Sequence, residues 1–161
     1  MTGRAMFFGL LVALVAALAP ITAQSQEMVY FKGHAEGTID HAPSVACGTG
    51  FLEATTQASG NVSHMGRVDI EGLHCLNPSS GEVSNGDFTI ATKGGDMLYA
   101  TYTGQAFPDQ TVRLEGTWTG GTGRFAGATG QFVVTATKTV GDIWHSQIVM
   151  DAVGTVTIID D

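Results

Sequence analysis

From Val29 to Ile39 every second residue is apolar or small: Val29, Phe31, Gly33, Ala35, Gly37 and Ile39, with Lys32, His34, Glu36 and Thr38 among those between. A period of two marks a β-strand with one buried face, because successive side chains point to opposite sides of the pleat. The pattern recurs. Val62, Gly66, Val68 and Ile70 alternate with Arg67, Asp69 and Glu71. Val112, Leu114, Gly116 and Trp118 alternate with Arg113, Glu115 and Thr117, and Phe132, Val134 and Ala136 with Val133, Thr135 and Thr137. No stretch of ten residues beyond position 23 carries a helical period. Turn chemistry separates the runs. Gly94-Gly95-Asp96 divides Phe88–Thr92 from Met97–Gly104, Asn77 to Gly81 and Pro108-Asp109 mark loops, and Gly141-Asp142 precedes the long final run Trp144 to Ile159. About eight strands with short connections predict an all-β domain. An eight-stranded antiparallel β-barrel satisfies them best, since closure leaves no bare edge. A two-sheet β-sandwich is the alternative.

Residues Met1 to Ala23 read as a secretory signal peptide. Arg4 supplies the positive start, and Met6 to Ala19 is an uncharged apolar run of 14 residues. That is too short for a transmembrane helix of about 20 residues and suits a signal core. Cleavage after Ala23 leaves residues 24–161 as a single β-barrel domain, secreted or periplasmic. Cys47 and Cys75 both fall in it and are expected to form a disulfide in an oxidising compartment.

The chain has a formal charge of −8, and only 14% of its residues are charged. A protein that neutralises phosphates needs clustered Lys and Arg, so no nucleic acid is expected as a partner. The same balance argues against an anionic membrane surface, and no membrane partner is expected after signal removal. Gly121-x-Gly123-x-x-Ala126 formally matches a dinucleotide fingerprint, but a strand-like run follows where that motif requires a helix. The histidines form neither H-x-H nor H-E-x-x-H, and no G-x-S-x-G elbow exists. Neither a cofactor nor a metal is implied.

Trp118-Thr119-Gly120-Gly121-Thr122-Gly123-Arg124-Phe125, the small residues up to Gly130, the strand after it, Gly141-Asp142 and the final strand resemble the C-terminal half of plant dirigent proteins and, more loosely, allene oxide cyclases. With Gly60 to Arg67 and Lys93 to Gly104, the pattern is most similar to bacterial secreted members of that barrel superfamily. The resemblance spans roughly residues 58–158. It implies an eight-stranded barrel and a homotrimer. The acidic and arginine residues of the dirigent pocket find no matching motif here, so none is carried over.

Strand parity nominates the site. His64 is in phase with Val62 and Val68, Tyr102 with Leu98 and Ala100, and Trp118 with Val112 and Leu114, so all three are expected to face inward. Trp144 and Met150 share a phase with Ile148, whereas Tyr99 should face outward. Arg124 is a candidate ligand contact or a structural partner, and Phe125 a plug for one barrel end. His74 is read as incidental to Cys75. An apolar-lined barrel with an inward histidine could hold a small apolar ligand, with His64 and Tyr102 the candidate catalytic pair. The expected role is small-molecule binding or a structural one. The alternative is an isomerase or cyclase, or a dirigent-like guide of a reactive intermediate. Whether the protein is an enzyme is left open by these residues.

Overall fold

A computed structural model describes residues 25–159; the expected signal peptide lies outside them. The eight strands are β1 (Gln26–Pro43), β2 (Leu52–Val62), β3 (Gly66–Leu76), β4 (Glu82–Thr92), β5 (Met97–Ala106), β6 (Thr111–Gly121), β7 (Gln131–Gly141) and β8 (His145–Ile159). Each pairs antiparallel with the next, and β1 pairs with β8, closing the barrel. The sandwich alternative is thereby overturned: β1 and β8 are hydrogen-bonded along their length, from Gln26↔Ile159 to Asp40↔His145. No cut remains at which two sheets could separate.

The up-and-down order sorts the connections onto two ends. At one end lie the turns around 63–65 and 93–96 and the β6–β7 loop; at the other lie the β1–β2 loop and the connections around 77–81, 107–110 and 142–144. The first end is stoppered. Gly123–Phe125 forms a short 3-10 turn, and Phe125 is among the most deeply buried side chains. The second end holds the Cys47–Cys75 disulfide, which ties the β1–β2 loop to the end of β3.

The glycines in strand phase are explained by what faces them. Around the wall, inward aromatic residues and glycines are cross-strand partners: Gly72↔Phe88, Gly86↔Tyr102, Tyr102↔Gly116, Gly116↔Phe132, Phe132↔Gly154 and Gly154↔Phe31. A Cβ on Gly72 would sit 2.6 Å from the Phe88 ring, and one on Gly86 would strike the Tyr102 ring. Each ring therefore lies over a residue that has no side chain to displace it. The rings then meet across the interior. Phe88 stacks on Tyr102 at 4.2 Å between centroids, Trp118 on Phe132 at 4.5 Å, and Phe31 on Trp118 at 5.6 Å. Such offset and tilted contacts add to the burial of large apolar surfaces.

This belt divides the interior. Toward the stoppered end is a void of about 40 Å³ lined by Phe31, Val62, Met65, Phe88, Trp118 and Met150 among others, with no polar side-chain atom facing it. A void of equal size lies toward the disulfide end, with Phe88 and Met150 in both walls. An apolar void stays dry, so the first should take up xenon under pressure. Xenon-dependent methyl shifts at lining residues such as Val62, Met65 and Ile70 would show this, and an unresponsive Met65 would contradict it.

Candidate functional site

The second void is lined by the two buried histidines, His41 and His74, and by other polar side chains. His41 continues the inward phase of Phe31, Ala35 and Ile39 on β1 and is 7% exposed. His74 continues the phase of Val68 and Ile70 on β3 and is 5% exposed. Tyr102 on β5 and half-buried Lys138 on β7 complete the lining with Thr56. These residues come from five strands, and barrel closure alone brings them together.

His74 Nδ1 lies 3.0 Å from the Tyr102 hydroxyl, with the two rings edge to face. Tyr102 Oη also lies within donating distance of the Leu73 carbonyl, at 3.4 Å. Two irregularities make room for the pair. The β3–β4 register shifts between Leu73 and Cys75, so that His74, Cys75 and Leu76 are buried in succession. Opposite, Asn85 takes φ 50° and the β4–β5 register shifts between Val83 and Gly86. Bulges of this kind re-aim side chains.

His41 differs from His74. Its Nδ1 is buried and has no hydrogen-bonding partner among the described residues. Burial holds both imidazoles neutral. It pulls His41 down to about 4, assisted by the Lys138 charge, and pulls His74 down to about 4, assisted by His41. Burial also lowers Lys138 and raises Tyr102. At neutral pH the site is therefore two uncharged imidazoles and a phenol beside one partly desolvated ammonium.

The outer wall carries histidines of the opposite kind. On the β1–β8 seam, His34 faces its cross-strand partner Asp151 (Nδ1···Oδ1 2.8 Å), and His145 faces Asp40 (2.5 Å). Hydrogen bonding to these carboxylates raises both histidines. The signs of the two pairs oppose. The buried histidines, lowered in the folded state, contribute stability that is full above pH 6.5 and lost as pH falls toward 4. The seam histidines contribute below pH 6.5, and theirs is lost as pH rises through the raised values. For His74 the acid loss amounts to roughly 3 kcal/mol at most. Urea midpoints should therefore fall between pH 6.5 and 4, and His74→Phe should flatten that limb. A limb unchanged in the variant would remove His74 from it. Salt should weaken the solvent-exposed alkaline limb more than the buried acid limb.

The residues nominated by sequence separate. Tyr102 and Trp118 are buried and inward; Trp118 Nε1 donates to the Thr155 carbonyl at 2.9 Å and lines the apolar void. His64 does not face inward. It sits exposed in the Ser63–Met65 turn at φ 64°, where the chain reverses and strand parity ends. Arg124 lies beside it, with Nη2 donating to the His64 carbonyl at 2.6 Å, and so ties the β6–β7 loop to the β2–β3 turn. Neither residue reaches the His41–His74 void. Trp144 is also displaced from its expected phase. Its backbone N–H and that of His145 donate to Asp142 Oδ1 in the β7–β8 turn, and its side chain is exposed. His74 is not incidental, since it is the buried partner of Tyr102. Among the described residues no group of three or more His, Cys, Asp or Glu is placed to hold a metal.

No protein-family model matches the sequence, and no curated protein matches it. Among solved structures, the pterocarpan synthase dirigent protein aligns with a TM-score of 0.54 at 12% identity, over 90% of this chain and 98% of that one. The fold is dirigent-like, a closed eight-stranded antiparallel barrel. At such identity the likeness concerns the path of the backbone and carries no residue of the site. The Cys47–Cys75 bond and the absence, among the described residues, of any helix long and apolar enough to cross a membrane are compatible with a secreted protein.

Proposed function

We propose that this is an exported barrel that receives a small, mainly apolar molecule at the disulfide end, taking its one hydroxyl or carboxyl group against His41. The observation that carries this reading is the buried Nδ1 of His41, a nitrogen without a hydrogen-bonding partner among the described residues, in a void shared with His74, Tyr102 and Lys138. A buried polar atom left unpaired costs about 1–3 kcal/mol, so a ligand O–H placed there would recover that cost. Lys138 favours a ligand whose group carries partial or full negative charge.

The size of the void limits the chemistry. Pockets that engulf a drug-sized ligand measure about 300–1,000 Å³, whereas each compartment here offers about 40 Å³. The void has room for the polar group, and the body of the ligand would occupy the mouth. Guiding a reactive intermediate, as the name of the dirigent neighbour suggests for that protein, needs the reacting skeleton enclosed and oriented. The aromatic belt occupies that volume, so the isomerase or cyclase reading ranks second. The neutral His74–Tyr102 pair, able to relay a proton, is what favours it.

Titration with phenol, followed through the imidazole nitrogens by NMR, tests the proposal. Saturable shifts at His41 and His74 are expected, with affinity at least tenfold lower in His41→Phe. Shifts spread evenly over the surface, or binding indifferent to that substitution, would overturn it. The second reading is tested separately, by whether His74→Phe abolishes turnover of a phenolic or fatty-acid-derived substrate that still binds.

A further inference from the structure

The loops of the two barrel ends treat their apolar residues differently. At the stoppered end Phe125 and Ala128 are buried and Met65 is half-buried; the exposed apolar residues near that end, Met28 and Met97, lie on strands β1 and β5 rather than in the turns 63–65 and 93–96 or the loop 122–130. At the disulfide end the reverse holds. Val45 is fully exposed, Val140 is 66% exposed, and Phe107, Ile143 and Trp144 are each about half exposed.

These five side chains form one arc. Val45 belongs to the β1–β2 loop, Val140, Ile143 and Trp144 to the β7–β8 corner, and Phe107 to the β5–β6 turn. Backbone hydrogen bonds join these neighbours: His41 N–H donates to the Trp144 carbonyl and Lys138 N–H to the Gln110 carbonyl. The arc therefore follows the rim from β5 through β8 to β1, at the end of the barrel nearer the polar void. Contiguous exposed apolar residues on a soluble domain mark a contact surface.

Charge selects the occupant. Asp109 and Asp142 are exposed among or beside these tips, as is Asp40, which is paired with His145. A second copy docked through a two-fold contact would set each carboxylate against its like. An anionic lipid surface would meet the same repulsion, compounded by a net charge of −8. A zwitterionic bilayer offers an apolar interior to the five tips and choline ammonium groups to the carboxylates, and tryptophan suits the water–lipid boundary. We propose that this rim docks the barrel, disulfide end first, on the surface of a neutral phospholipid membrane. The expectation of no membrane partner was drawn from the lack of basic residues. An apolar rim binds without them.

The two tryptophans make the test direct. Trp118 is buried and Trp144 exposed, so a change in the surrounding solvent moves the emission of Trp144 alone. The exported protein is titrated with phosphatidylcholine vesicles while emission and co-sedimentation are recorded. A saturable blue shift is expected, absent in Trp144→Phe. The bound fraction should fall at least tenfold in the double variant Val140→Asp, Ile143→Asp, whose circular dichroism should match the parent because both positions are exposed. No shift, or equal sedimentation of parent and double variant, overturns the proposal. A blue shift that grows with protein concentration in the absence of vesicles overturns it in favour of a second copy. Tighter binding to vesicles enriched in phosphatidylglycerol overturns the charge selection. The docking does not depend on what His41 receives, so the phenol and vesicle titrations can fail separately.

Discussion

Phe88→Ala is expected to destabilise the barrel by about 3–5 kcal/mol, the range for truncating a buried phenylalanine. Phe88 is 5% exposed, stacks on Tyr102, tilts against Phe132 and forms part of the wall of both internal voids. Its loss removes the ring's burial and joins two compartments that the surrounding sheet cannot collapse to fill. A two-state urea denaturation series measures the cost. A value under about 1 kcal/mol would mean that the belt repacks and that the partition described above is not rigid. The glycine beneath the ring supplies a sharper check. Gly72→Ala alone should cost about 1–3 kcal/mol by overpacking, because its Cβ would meet Phe88 at 2.6 and 2.8 Å while the next atom, on Thr56, is 3.4 Å away. With Phe88 already truncated, the added methyl enters free space. The double variant should thus be at least about 1 kcal/mol more stable than the sum of the single losses implies. Simple additivity would show that ring and glycine are not coupled.

Removing the disulfide is expected to cost roughly 3–4 kcal/mol in the chain-entropy account for a loop of this length. Cys47 and Cys75 are 28 residues apart, and their bond joins an irregular loop to the strand end that carries His74. The Cys47→Ser, Cys75→Ser variant should therefore lose more than global stability. Without the tether, the bulge beside His74 loses an anchor one residue away, and amide exchange at 73–76 should rise more than at the stoppered end. Uniform acceleration throughout the barrel would restrict the disulfide to constraining the unfolded chain.

Much of the barrel was legible because period two is a local property. The inward faces of β1, β6 and β7 follow from counting alternate residues, and the Gly94-Gly95-Asp96 turn divides β4 from β5 as its chemistry requires. The site was less legible, for three physical reasons. Parity does not survive a turn, so counting through Ser63–Met65 sent His64 inward when the chain was reversing, and the same error placed Trp144. Bulges change phase without a compositional mark: nothing local announces that Cys75 is buried between His74 and Leu76, whereas His74 itself keeps the phase of Val68 and Ile70. Partnerships across non-neighbouring strands, such as His74 with Tyr102, depend on register accumulated around the closed wall. His41 was within reach, since it simply extends the series Phe31, Ala35, Ile39. The glycines, too, carried a readable signal. Gly72, Gly86 and Gly116 precede Phe88, Tyr102 and Phe132 by sixteen residues each, one hairpin's length.

The seam between β1 and β8 has a consequence for how the chain is made. The strand synthesised first finds its second partner only when the strand synthesised last is available. Until then the nascent chain is an open ribbon with two bare edges, a form prone to pairing with other chains. Contacts between the two ends are the slowest to form, because the loop to be closed is nearly the whole polypeptide. The β1–β8 seam is thereby the last pairing of the barrel to close.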